Sequence, residues 1–211
     1  MSNEELADYI RATGRTEDTF AYGNDFRVYE LVVFFNLADF ANIQLNDQER
    51  WLRNFLLQQK LIEKPLGYYR VKGRNNVILS LPQEQPAPVG GPRTAQVTPL
   101  ARETILRHEL SHAEFFTNKA YANYCRQFWD REMSEKARQG FLTFLGQNSY
   151  DAENRELMVN EAQAYLMHTP DPAAFNARKV GLSEAELGVL RQKFLAGNPP
   201  TALFNEMPRF F

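Results

Sequence analysis

Between Pro82 and Pro99 the chain carries five prolines and the adjacent pair Gly90-Gly91. Proline lacks the backbone N–H that helices and ladders need, so no regular element can occupy this run. Before it, the apolar pattern is short and mixed in period; after it, the spacing is helical almost to the end. The elements on each side look too small to fold alone. The run therefore reads as an irregular surface loop over 82–99, inside one domain spanning residues 1–211.

Ahead of the loop, residues 3–13 read as a short amphipathic helix. Residues 26–42 read as helix or strand, with Phe34, Phe35 and Phe40 making the segment core in either case. Asn46 and Glu49 have capping-box spacing, and Trp51, Phe55, Leu56 and Leu61 follow on one helical face. Two β-prone runs, Tyr68 to Val71 and Val77 to Leu79, flank Gly73-Arg74-Asn75-Asn76 and suggest a hairpin over 67–81. Beyond the loop, Thr98 and Pro99 suit the cap and first turn of a helix running to Thr117. Further helices are expected near 119–137, 135–146 and 151–168. Ser183 and Glu186 announce a last one, which stops near Gly197. The fold class expected is α+β, mostly α, with one small hairpin or sheet.

With 44% apolar residues and 16 Phe among 211, the chain has ample material for a core, which excludes disorder as its ground state. The net charge is -2, from 24 basic and 26 acidic side chains scattered along the sequence. No concentrated basic patch is present, so a nucleic-acid partner is not expected. No apolar run approaches the ~20 residues of a membrane span. The start, Met1-Ser-Asn-Glu-Glu, has neither the basic nor the apolar region of a signal peptide. A cytoplasmic location is the default expectation, and a periplasmic or secreted one follows if a leader has been removed. Cys125 is the one cysteine. It permits no internal disulfide and no thiolate cluster, so a metal would have to use histidine and carboxylate ligands. Beside Tyr124 and Phe128, it reads as an inert core thiol.

The chemistry is concentrated in His108-Glu109-Leu110-Ser111-His112, in the middle of the helix after Pro99. Residues four apart share a helix face one turn apart, so both imidazoles can reach one ion. Glu109 projects about 100° around the helix from His108, beside the metal rather than on it. There it can act as general base toward a water whose acidity the metal raises. Ile105 and Phe116 extend the apolar side, and Leu106, Leu110 and Ala113 widen it. Glu103, Arg107, Ser111 and Glu114 are expected on an opposite, solvated face.

Two histidines leave a third protein ligand to be found. Glu161 is the best candidate: on a helical wheel it shares a face with Leu157, Met158, Tyr165 and His168, and an inward anion is costly unless paired or bound to metal. A buried salt bridge is the bland alternative. Glu114 points away from the histidine face and is a poorer ligand. His168, the remaining histidine, could donate to a developing oxyanion, could itself be the third ligand with Glu161 behind it, or could be an ordinary helix C-terminal histidine. Tyr165 is a second oxyanion candidate, with Tyr150 and Tyr121 after it. Zn²⁺ follows from ligand type, although other divalent ions suit the same donors.

Phe115 and Asn118 stand where the longer metzincin motif needs glycine and histidine, which removes that branch. With Asn160-Glu161 on a downstream helix, His108-Glu109-x-x-His112 resembles the gluzincin metallopeptidases, the thermolysin-like branch of the zincins. The likeness covers about 60 residues. It implies a zincin-like fold, zinc on His108, His112 and Glu161, Glu109 as general base, and a peptide or protein substrate. It also implies that the 67–81 hairpin lies near the motif helix and pairs with extended substrate. One departure stands out. Tyr165 occupies the position where the family often has an aspartate orienting a histidine, so the group orienting His108 is unassigned. Two other readings survive the sequence: a metal-binding interaction module without catalysis, and a metal-free helical scaffold.

Overall fold

The computed structural model describes residues 23–73, 76–84, 86 and 96–201. The helix expected at 3–13 lies outside the described residues, as does much of the proline-rich loop. The chain divides into two compact units, a smaller one over Asp25–Leu79 and a larger one made of the residues on either side.

The smaller unit begins with strand β1 (Asn24–Arg27) and passes directly into helix α1 (Val28–Phe40). The segment 26–42 is thus mainly helix. Glu30 closes the first turn by accepting from the backbone N–H of Arg27. Of the three phenylalanines expected inside, only Phe35 is buried; Phe34 and Phe40 are exposed. A helix has two sides, and Val28, Leu31, Val32, Phe35 and Ala38 already fill the inward one. Helix α2 (Asp47–Gln58) starts at the capping box expected, Asn46 Oδ1 accepting from Glu49 N at 2.8 Å. Leu56 is its buried anchor, whereas Trp51 stacks on Phe55 in solvent.

Short strands follow: β2 (Ile62–Glu63), β3 (Arg70–Val71) and β4 (Val77–Ser80). The hairpin expected over 67–81 does not form. β3 pairs antiparallel with β2, Ile62 opposite Val71, and β4 pairs with β1. The alternation identified the strands but not their partners. Gly67 and Leu66, both at positive φ, make the turn that returns β3 to β2.

The larger unit is helical. Helix α3 (Pro99–Thr117) is capped by Thr98, whose hydroxyl accepts from Ala101 N at 3.1 Å. Helix α4 (Lys119–Gln127) follows almost without a break, and Asn118 caps it by accepting from Ala120 N and Tyr121 N. It ends sooner than expected, in a single π-turn over Phe128–Glu132 that puts Phe128 and Trp129 into the core. Helices α5 (Glu135–Gln147), α6 (Arg155–His168) and α7 (Glu184–Gly197) complete the set. The Ser183–Glu186 capping box is present on α7. A continuous core joins α4 to α7 through Tyr121, Phe141, Leu145, Met158, Leu166, Phe175 and Phe194. No helix among the described residues is long and apolar enough to cross a membrane.

Candidate metal centre

Helix α6 is α3's main packing partner. The packing corrects the expectation of a solvated face on α3: Ser111 is 0% and Glu114 3% exposed. Both polar groups are matched, as burial requires. Ser111 Oγ donates to the His108 carbonyl at 2.6 Å, and Glu114 accepts from Asn118 Nδ2 at 2.6 Å. Both sides of α3 are covered, so a wheel with one wet face does not apply.

Packing brings His108, His112 and Glu161 together. One ligand atom from each lies within 4.8 Å of the others. Nε2 of His108 is 3.4 Å from Glu161 Oε2, and Nε2 of His112 is 3.5 Å from Glu161 Oε1. Donors bound tetrahedrally to zinc at ~2.0–2.2 Å stand about 3.3–3.6 Å apart, so these spacings suit a shared ion. The carboxylate is nearly sealed from solvent, and its Oε2 makes no hydrogen bond. Burial raises the Glu161 pKa, and the facing imidazoles of His112 and His108, when they carry a proton, outweigh it, so the net direction is down.

The far side of each ring is fixed. Thr169, just past the end of α6, donates its hydroxyl proton to the Ala164 carbonyl at 3.0 Å. The same oxygen is 2.9 Å from His108 Nδ1, so it accepts from an Nδ1–H. His112 Nδ1 lies 3.0 Å from Asn160 Oδ1, again an acceptor. In the neutral rings both Nε2 atoms are then bare lone pairs facing Glu161, the state a metal needs. Thr169 is the orienting group that the sequence left unassigned. A residue after a helix end, followed by proline, resembled a stop signal and gave no other cue.

Glu109 is also buried. The backbone at Gly23 runs so close to it that a Cβ there would lie 2.3 Å from Glu109 Oε1 and 2.6 Å from Ile105 Cγ2. Only glycine fits.

Tyr165 packs its ring edge-on against His108, centroids 4.7 Å apart, and also against Phe144 at 4.9 Å. Tyr150 reaches the same place, hydrogen-bonded to Glu161 and Tyr165, and burial raises its pKa so that the phenol stays protonated. His168 is not among the clustered ligand atoms. Its Nε2 instead lies 3.1 Å from the hydroxyl of buried Tyr121. Cys125 is a buried thiol whose pKa burial pushes up to about 12, so it stays protonated.

Compared with family models, characterised proteins and solved structures, the chain matches none.

Proposed function

We propose that this chain is a zinc-dependent hydrolase, a metallopeptidase acting on peptide or protein substrates, with His108, His112 and Glu161 as metal ligands. The observation that carries the reading is the convergence of two imidazole nitrogens and a buried carboxylate at 3.4 and 3.5 Å. A sealed carboxylate oxygen without a hydrogen bond is costly, and a divalent ion is the partner its surroundings suit. When bound, the ion supplies Lewis acidity at the scissile carbonyl and acidifies the attacking water.

The chain's own residues do the rest. Glu109, next to His108 in sequence and with a carboxylate oxygen within 4.8 Å of a His112 ring nitrogen, takes the water's proton and returns it to the leaving amine. The hydroxyl of Tyr165 is the donor proposed for the developing oxyanion, with the Tyr150 phenol, hydrogen-bonded to Glu161, a second. His168, its Nε2 3.1 Å from the Tyr121 hydroxyl, supports the site from behind rather than donating to it. Thr169 and Asn160 hold the two imidazoles so that no reorientation is needed when a metal arrives.

The same 3.4 and 3.5 Å contacts favour one rival, a metal-free pairing of Glu161 with a protonated imidazole. Metal analysis separates the two. Purified protein should hold about one zinc per chain, and His112→Ala should lose most of it. Glu109→Gln should keep the zinc while hydrolysis of a mixed peptide library falls about 10²–10⁴-fold. Equal metal content in wild type and His112→Ala would sink the reading, and zinc loss in Glu109→Gln would make Glu109 a ligand.

A further inference from the structure

A second line of hydrogen bonds enters the site through α6, and the proton directions along it follow one after another from the orientation of its amides. Tyr121 is fully buried, its hydroxyl 2.6 Å from Gln163 Oε1 and 3.1 Å from His168 Nε2. A phenol has one proton, and an amide oxygen can only accept it. The proton therefore goes to Gln163, and the His168 contact is an Nε2–H donating to Tyr121.

This orients the Gln163 amide. With its oxygen on Tyr121, its Nε2 faces Ser111 Oγ at 3.0 Å and Asn160 Oδ1 at 3.3 Å. Ser111 has already given its proton to the His108 carbonyl, so it accepts here. Asn160 must then present oxygen, not nitrogen, to Gln163, and that same oxygen faces His112 Nδ1. Reversing Asn160 alone would set N–H against N–H, and reversing Gln163 alone would set oxygen against oxygen, inside the protein, where each unmade bond costs roughly 1–3 kcal/mol.

We propose that Tyr121 and Gln163 are positioning residues for the metal centre: through Asn160 they place the proton on His112 Nδ1 and keep Nε2 bare toward Glu161 before any metal binds. His168 closes the far end as a donor. The role at the metal rests on the hydrolase reading above, whereas the proton on His112 can be read in the metal-free protein.

The test uses the full chain, its Tyr121→Phe variant and its Gln163→Met variant, which keeps side-chain length if Tyr121→Phe fails to fold. Long-range ¹H–¹⁵N NMR of metal-free protein, at a pH where the imidazoles are neutral, reads the tautomer of His112. Competition against a chelator reads Zn²⁺ affinity. Wild type should carry the His112 proton on Nδ1 alone. Both variants should populate Nε2–H and bind zinc about tenfold more weakly. A pure Nδ1–H tautomer in the folded variants overturns the proposal, even if zinc affinity drops, because the drop would then come from packing. A shifted tautomer in a chain whose wild type binds no zinc would uphold the relay and defeat the hydrolase reading instead.

Discussion

Thr169 Oγ1 sits 2.9 Å from His108 Nδ1, so the residue that ends the helix carrying Glu161 also aims an imidazole at Glu161. Removing that acceptor leaves the ring free to turn and its N–H unmatched. Thr169→Val, nearly the same shape, should weaken zinc binding about 10–100-fold, and Thr169→Ser should restore most of it. Chelator competition measures both, and a Thr169→Val protein with wild-type affinity would show that His108 needs no orienting partner.

Glu161 and His168 should separate by their effect on metal. Glu161 is the carboxylate between the two imidazoles, while His168 spends Nε2 on Tyr121. Glu161→Gln should strongly reduce zinc content; His168→Ala should largely spare zinc and lower turnover. Metal analysis of the two proteins decides, and the reverse pattern would exchange their roles.

Gly23 offers a test of Glu109 that leaves His108, His112 and Glu161 untouched. A methyl group at 23 would collide with Glu109 Oε1, so the carboxylate or the Gly23 backbone must shift. Gly23→Ala should therefore keep wild-type zinc content while kcat falls, since a misplacement of about 1 Å can cost on the order of 100-fold. Undiminished kcat would place Gly23 outside the machinery of catalysis.

Acid should act through His168. Burial first, then the neighbouring His108, lowers its pKa from 6.5 to about 3. The folded state thus refuses a proton that the unfolded chain accepts below pH 6.5. The stability at stake is full above 6.5 and is lost as pH falls from there toward 3. The loss should be at most about 1.4 kcal/mol per pH unit. Denaturant titrations across that window should give a flatter profile for His168→Gln than for wild type. Parallel profiles would mean that His168 protonates freely in the folded chain.

What the sequence made legible follows from the range of the forces involved. Caps and helix starts, as at Thr98, Asn46 and Ser183, are settled within three or four residues and were readable. So was the clustering of His108, His112 and Glu161, since a spacing of four on one helix and a carboxylate on an apolar stripe are local patterns. Strand pairing was not. Val71 finds Ile62 rather than a neighbour across Gly73, because short strands pair with whatever edge the surrounding helices bring to them. The burial of Ser111 and Glu114 was hidden for a similar reason: a polar residue reads as wet until the atoms that satisfy it are in place. Thr169 reaches His108 across 61 positions of chain, and Gln163 reaches Ser111 across 52, separations that no local pattern spans.

Asn160, Glu161, Gln163 and Thr169 all reach the site from α6 or its first residue beyond, and this sets where the chain can tolerate changes of length. One residue inserted between Glu161 and Thr169 would turn everything after it by about 100°, carrying Thr169 away from His108 while Glu161 stayed in place. Within the link between α5 and α6, Tyr150 is tied to Glu161 and Asn154 caps the helix, whereas residues 151–153 between them have no such constraint. Insertions and deletions should accumulate at 151–153 and be excluded from the stretch between Asn160 and Thr169.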